Sequence, residues 1–164
     1  MTESAFLELL SQHQGILHKI GRMYAREAEE REDLMQEMVL QLWRSLPSYR
    51  AELPFSTWMY RVALNTAITY VRKTTRRPAL VPLALRHTET LPAPPSAALP
   101  DAEAALYRAI AQLDRLEKAL VLLYLEEKSY RDIAALLDLT PTHVGVKLNR
   151  IKKKLKHLLR HETR

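Results

Sequence analysis

The sequence predicts an all-α protein made of two small helical domains joined by a proline-rich extended linker. Glycine occurs only three times in 164 residues, and the chain contains no Asn-Gly or Asp-Gly hairpin dipeptide. Apolar residues recur at helical spacing along most of the chain. Six of the nine prolines fall between Pro78 and Pro100, where they disfavour helix and favour an extended segment. A single domain with a proline-rich loop packed on its surface is the alternative reading of this segment.

The N-terminal domain, residues 1–77, is predicted to contain three helical stretches. Apolar residues at helical spacing mark the first, and Pro47 closes the second. The third begins after Pro54, with Ser56 as its expected N-cap. The stretches cover about 6–23, 32–46 and 56–75.

The C-terminal domain, residues 101–164, has clearer helix starts. Each start has an N-cap acceptor, and the starts include one relative of the capping box and one proline at the first helical position. The expected N-caps and approximate helix ends are Asp101 and Leu113, Asp114 and Glu126, Ser129 and Leu137, and Thr140 and Arg160.

The stretch SYRDIAALLDLTPTHVGVKLNR (129–150) predicts a helix-turn-helix whose turn is Asp138–Thr140. Ala134 lets the two helices approach closely, and aspartate at 138 tolerates a left-handed backbone. The second helix is rich in lysine, and a helix of this diameter fits the DNA major groove. An ordinary helical hairpin with a solvated basic face is the alternative.

Charge is distributed unevenly. The net charge is +6, yet residues 1–54 carry six basic and nine acidic side chains. Residues 55–82 carry five basic and no acidic side chains, and residues 115–164 carry twelve basic and six acidic ones. Two separate basic segments suit a polyanionic partner.

Other features exclude several classes of protein. The absence of cysteine excludes disulfides and zinc-thiolate sites. The longest apolar run, Ala119–Leu125, is far too short to cross a membrane, and the N-terminus lacks a signal-peptide pattern. The sequence therefore predicts a cytoplasmic protein without membrane insertion.

Aromatic and cationic residues alternate in PFSTWMYRVALNTAITYVRKTTRR (54–77). Such a stretch can hold single-stranded nucleic acid, because bases stack on the rings while cations contact the backbone. The alternative is that the aromatic side chains belong to the core and the cations are solvated.

Three motifs, in order, resemble the extracytoplasmic-function (ECF) sigma factors, the two-domain group of the bacterial sigma-70 family. The segment EDLMQEMVLQLWRSLPSYR (32–50) is similar to the polymerase-binding helix of region 2. The segment FSTWMYRVALNTAITYVRK (55–73) resembles the helix that opens DNA and reads the minus-ten element. Residues 113–159 resemble region 4, which reads the minus-thirty-five element. The proline-rich segment 78–100 is the linker between them.

The resemblance implies a promoter-specificity subunit that binds core RNA polymerase through its β′ clamp and β flap, and that recognises and opens promoter DNA. The implied polymerase-binding residues are Asp33, Gln36 and Glu37. The implied minus-ten residues are Tyr49, Phe55, Trp58, Tyr60, Arg61, Asn65, Arg72 and Lys73. Within that set, the residues implied to receive a flipped base are Tyr49, Tyr60 and Asn65.

Region 4 departs from the family pattern at two positions. Members usually carry a basic and a small polar residue where this chain has Gly145 and Val146, neither of which can donate to a base edge. The implied minus-thirty-five residues are therefore His143, Lys147, Asn149, Arg150, Lys152 and Lys153.

The sequence contains no catalytic motif, so neither enzymatic activity nor a cofactor is expected. His157 and His161 are spaced i, i+4 but have no evident third ligand, so no metal site is predicted. The resemblance also implies an anti-sigma partner and a monomer when free. Two alternatives remain: a stand-alone helix-turn-helix regulator, which would need a dimer interface, and a module whose basic last helix binds a membrane surface or an acidic protein.

Overall fold

A computed structural model describes residues 1–76 and 101–162. The predicted linker, 78–100, lies outside the described residues. The described part of the chain is helical and contains no strand, which confirms the predicted fold class. Its helices are α1 (Glu3–Gln12), α2 (Gln14–Tyr24), α3 (Ala28–Ser45), α4 (Phe55–Arg76), α5 (Asp101–Ala111), α6 (Arg115–Leu125), α7 (Tyr130–Leu137) and α8 (Pro141–Glu162).

Helix starts in the N-terminal half differ from the prediction. The N-cap assigned to Ser56 is wrong, because α4 begins at Phe55. The Pro54 carbonyl accepts from the amides of residues 57 and 58 at 3.0 and 3.3 Å, so the helix begins two residues before the position that a Ser56 cap implies. Helix α3 begins four residues before the predicted start, since the Glu27 carbonyl accepts from the Arg31 amide at 3.0 Å.

Three of the four predicted caps of the C-terminal half are confirmed, whereas Asp101 is the first residue of α5 and not its cap. Asp114 accepts from the Glu117 amide at 2.8 Å, while the Glu117 carboxylate accepts from the Asp114 amide at 2.9 Å. Ser129 and Thr140 each accept from the amide three residues later, both at 3.1 Å. Asp138 adopts the left-handed conformation expected of the turn, with φ 54° and ψ 43°. These bonds satisfy amides that a helix N-terminus otherwise leaves without partners.

The core of the N-terminal half lies between α3 and α4. Both helices bury residues at i, i+4, i+8 spacing, which places them on one face. Two of the three on α4 are alanines, so the helix axes can approach closely. The buried residues are Leu34, Met38 and Leu42 on α3, and Met59, Ala63 and Ala67 on α4.

The two helical groups pack against each other. Helix α2 contacts α5 and α6, and α4 contacts α6 and α7. The Tyr24 hydroxyl donates to the Arg115 carbonyl at 2.6 Å, and Lys19 forms an ion pair with Glu126. This packing brings the first turns of α4 next to the C-terminal end of α6.

Candidate polymerase and promoter interfaces

The three predicted polymerase-binding residues lie together on α3. Asp33, Gln36 and Glu37 share one helix face through their i, i+3, i+4 spacing. Asp33 and Gln36 are exposed, while Glu37 is partly buried and accepts from the Gln41 side-chain amide at 3.1 Å. The face is acidic and rich in hydrogen-bond acceptors, so it is suited to a basic or donor-rich partner surface.

An aromatic cluster surrounds the loop before α4. The ring centroids of Tyr49, Phe55 and Trp58 lie 5.2–5.6 Å apart, and Phe6 packs edge-on against Phe55 at 6.4 Å. The Tyr49 hydroxyl donates to the Leu53 carbonyl at 3.0 Å, which ties the loop to the cluster. Phe55 and Trp58 are buried, so in this arrangement they belong to the core. Tyr49 is partly exposed at the edge of the cluster.

An open cleft of about 550 Å³ is lined by residues of both α3 and α4. Glu37 and Gln41 form one wall, and Asn65, Thr69 and Lys73 line the other. The side-chain amides of Gln41 and Asn65 can each donate and accept hydrogen bonds, so the cleft can bind a planar polar group such as a nucleobase edge. The remaining lining residues are Ser45, Val62, Thr66, Tyr70 and Thr74.

Tyr60 lies away from this cleft, on the side of α4 that faces α6. It is 3% exposed. Burial raises the pKa of its phenol above the usual value, and the charge and hydrogen bond of Glu126 raise it further. The Lys128 ammonium sits 5.7 Å from the ring centroid. Tyr60 is therefore a neutral, buried contact between the two halves of the molecule.

The three residues predicted to form a base pocket are not brought together. Tyr49 belongs to the aromatic cluster, Asn65 lines the α3–α4 cleft, and Tyr60 faces α6. A separation of five residues places Tyr60 and Asn65 on different sides of α4. Gln41 and Thr69, which share the cleft with Asn65, were missed by sequence reasoning. The i, i+4 spacing from Glu37 to Gln41 and from Asn65 to Thr69 is the signal that could have found them.

Of the three cations in the predicted minus-ten set, Arg61 lies in the second turn of α4 and the other two lie near its C-terminal end. The Arg61 guanidinium is 4.0 Å from the Asp138 carboxylate of the helix-turn-helix, and both side chains are largely exposed. An ion pair this exposed contributes at most about 1 kcal/mol. Arg72 and Lys73 are exposed near the other end of the helix.

The cations of α8 follow the exposed surface of the second helix-turn-helix element. His143, Lys147 and Arg150 share one side through their i, i+4, i+7 spacing, and Asn149 and Lys153 lie at the centre of the exposed face. On the opposite side of α8 from this row lies Lys152, whose ammonium is 4.3 Å from the Tyr124 ring centroid. Val144, Leu148 and Ile151 are buried and fix the rotation of the helix.

Comparison with known proteins decides the family. Residues 9–77 match the family described as sigma-70 region 2, and residues 103–155 match sigma-70 region 4. The chain is 33% identical over 135 residues to the RNA polymerase sigma-H factor of Pseudomonas aeruginosa, which spans 74% of this chain and 70% of that protein. It is 30% identical over 149 residues to the ECF RNA polymerase sigma-E factor of Haemophilus influenzae, across 83% of this chain and 77% of that one. The chain is an ECF sigma factor of the sigma-70 family.

Solved structures share the fold of this sigma factor. The sigma factor RpoE of Bartonella quintana, in complex with the anti-sigma factor NepR, matches with a TM-score of 0.72 at 18% identity, covering 95% of this chain and 97% of that one. CnrH, in complex with the cytosolic domain of CnrY, matches with a TM-score of 0.67 at 22% identity, covering 98% and 90%. At these identities the matches establish the helical architecture.

Residues 1–76 and 101–162 of this sigma factor contain neither a cluster of metal-ligating side chains nor a helix able to span a membrane. Within those ranges no three metal-ligating side chains come together, although the rings of His157 and His161 are 4.5 Å apart. Within the same ranges no helix combines the length and the hydropathy that crossing a bilayer requires.

Proposed function

We propose that this sigma factor is a promoter-specificity subunit that binds core RNA polymerase, recognises minus-ten and minus-thirty-five elements, and helps to open the DNA. The observation that carries the proposal is the match of both halves of the chain to the two DNA-reading regions of one family, in the same order. The alternative of a stand-alone helix-turn-helix regulator is not favoured, since it leaves the region 2 match without a role. In this proposal the polymerase catalyses RNA synthesis, and the sigma factor acts in the cytoplasm, where the polymerase is located.

Polymerase binding is assigned to the acidic face of α3. Asp33, Gln36 and Glu37 would contact the β′ clamp. Asp33 and Gln36 are exposed and Glu37 is partly buried, so the contact requires no unfolding of the domain. The C-terminal domain would contact the β flap. One free monomer binds one core enzyme in this proposal.

Promoter opening is assigned to the surface shared by α4 and the loop before it. A base extruded from the non-template strand costs a few kcal/mol of unstacking, so it needs a fitted site. Asn65 would hydrogen-bond such a base in the α3–α4 cleft, where Gln41 and Thr69 provide further polar groups. Tyr49 would offer a stacking surface, and the buried rings of Phe55 and Trp58 would hold it in place.

The remaining predicted contacts are electrostatic. Lys73 lines the cleft, and the neighbouring Arg72 is exposed. Both would therefore contact phosphates of the opened strand. In α8, the residues assigned to the minus-thirty-five major groove are His143, Lys147, Asn149 and Arg150, with Lys152 and Lys153 on phosphates.

The packing of the two halves sets a condition on this function. Tyr60 and Arg61, both on the predicted minus-ten surface, are engaged by Glu126 and Asp138 of the C-terminal half. We infer that the halves part when the polymerase binds. The solved structure of RpoE from Bartonella quintana contains the anti-sigma factor NepR, and we propose that such a partner holds this chain closed.

Glu126→Ala tests that condition. Glu126 is the shared partner of Lys19 and Tyr60, so its loss is expected to shift the population toward the open form. Because apparent affinity scales with the competent fraction, binding to a single-stranded minus-ten oligonucleotide should tighten several-fold. Small-angle scattering should show a larger radius of gyration. The matched control is Glu103→Ala, at an exposed position of α5, which is expected to change neither quantity. If Glu126→Ala changes neither the scattering nor the affinity, Glu126 does not hold the two halves together.

Run-off transcription from a pool of genomic fragments tests the function as a whole. With purified core polymerase, the chain is expected to give discrete new start sites that share two short upstream motifs. If the chain binds DNA but leaves the start sites of core polymerase unchanged, the stand-alone regulator becomes the better description.

A further inference from the structure

Gly145, where the family usually has a basic side chain, lies under an aromatic ring. A methyl group at position 145 would be 3.4 Å from Cε2 and 3.7 Å from Cδ2 of Tyr130. Alanine would therefore fit at contact distance, whereas a longer side chain would meet the ring. The Tyr130 ring of α7 therefore occupies the space that a long side chain at position 145 of α8 would need.

Tyr130 is placed at the edge of the predicted DNA-binding surface. It is the first residue of α7, directly after the Ser129 cap, and it remains 39% exposed although its ring packs on Gly145. In a helix-turn-helix the second helix enters the major groove while the first crosses the DNA backbone. A side chain at the start of α7, against α8, is therefore positioned for a phosphate at the groove edge.

Lys152 extends this edge along α8. It lies seven residues after Gly145, which places both on the same side of the helix. Its ammonium sits 4.3 Å from the Tyr124 ring centroid, and Tyr124 is 39% exposed. Contact with Tyr124, and the proximity of Tyr130, raise the pKa of the Lys152 amine, so the cation is retained. Tyr130, Tyr124 and Lys152 form one row beside α8, called here the groove-edge row.

We propose that the groove-edge row replaces the side chain that Gly145 lacks: the Tyr130 hydroxyl donates to one DNA phosphate, and Lys152, oriented on Tyr124, neutralises the next. Gly145 is then a positioning residue, because its missing side chain lets the ring lie against α8. Duplex DNA is the favoured partner rather than a protein, since the row is continuous with the exposed cations of α8. The inference rests on the proposed function, which places α8 in the groove.

The test uses the full chain and a fluorescent 30-base-pair duplex of mixed sequence, because phosphate contacts are independent of sequence. Binding is measured by anisotropy across a KCl series. Tyr130→Phe is expected to weaken binding about fivefold with an unchanged salt slope, since it removes one neutral donor. Lys152→Gln is expected to weaken binding and to reduce the salt slope by about 1. The control Tyr107→Phe, on α5, should bind as the unchanged chain does.

Two substitutions at 145 separate positioning from overall folding. Gly145→Ala fits beneath the ring and is expected to bind normally. Gly145→Leu displaces the ring and should lose about as much affinity as Tyr130→Phe. The double variant Gly145→Leu/Tyr130→Phe should then be no weaker than either single one, because both changes remove the same contact. Additive losses would mean that Gly145 does not act through Tyr130.

Other outcomes overturn the inference in distinguishable ways. If Lys153→Gln lowers the salt slope while Tyr130→Phe and Lys152→Gln do not change binding, α8 contacts DNA but the groove-edge row does not. If Tyr130→Phe keeps DNA affinity and loses core polymerase affinity, the row is a protein-docking surface. If Lys153→Gln, Tyr130→Phe and Lys152→Gln all leave DNA binding unchanged, α8 does not contact DNA as proposed. The role proposed for the groove-edge row is then wrong as well.

Discussion

Replacing Asp33, Gln36 and Glu37 together with alanine is expected to abolish binding to core RNA polymerase and leave the fold intact. Two of these side chains are exposed and the third is partly buried, so their loss removes no core packing. Each charge-assisted hydrogen bond lost at an interface costs about 1.5–3 kcal/mol, so three together should lower affinity by more than about a hundredfold. Equilibrium binding of the labelled chain to core enzyme measures the loss, and thermal unfolding checks the fold.

A matched control is available on α1. Glu3, Glu8 and Gln12 are exposed and carry the same number of acidic and amide groups. Their triple alanine variant is expected to bind core enzyme as tightly as the unchanged chain. If both triple variants bind equally well, α3 does not form the polymerase interface.

Asn65→Ala is expected to slow formation of the open complex at least about tenfold while closed-complex binding stays within about twofold. The reason is that a base reaches the α3–α4 cleft only after it leaves the stack, so the hydrogen bond from Asn65 forms only when the DNA opens. Asn65 is exposed, so its truncation leaves the core unchanged. Permanganate footprinting reports opening, and filter binding at low temperature reports the closed complex.

Asn149→Ala provides the reciprocal control. It is also an exposed asparagine, but it lies on α8. It should weaken the closed complex, and slow opening only to the extent that less DNA is bound. If Asn65→Ala weakens both steps equally, the cleft does not hold a flipped base.

A functional test of Tyr60 requires replacement by phenylalanine rather than by alanine. It is 3% exposed, so Tyr60→Ala would remove a core side chain and cost about 3–5 kcal/mol of stability. A loss of transcription in that variant would report unfolding as readily as loss of a DNA contact. Tyr60→Phe keeps the packing and removes only the hydroxyl that meets Glu126.

The local features of the fold could be predicted from the sequence because they depend on neighbouring residues. The Asp114–Glu117 capping box and the left-handed Asp138 turn were both confirmed. Each arises from contacts within a few residues, which sequence spacing encodes directly. Ser56 failed as a cap because a backbone carbonyl, that of Pro54, already accepts from the first amides of α4.

The relationships between distant residues could not be predicted in the same way. The contact of Tyr60 with Glu126 joins residues far apart in the chain, and no local pattern marks it. The aromatic-basic stretch left open whether Phe55 and Trp58 face the core or the DNA, because both readings require the same residues. Tertiary packing, including Phe6 against Phe55 and Tyr49 against both rings, places them in the core.

The most direct test of the central claim is equilibrium binding of the labelled full chain to purified bacterial core RNA polymerase. We expect saturable binding of one chain per core enzyme, lost in the Asp33, Gln36 and Glu37 triple variant and retained in the α1 control. A chain that binds duplex DNA but shows no affinity for core enzyme would contradict the assignment as a promoter-specificity subunit.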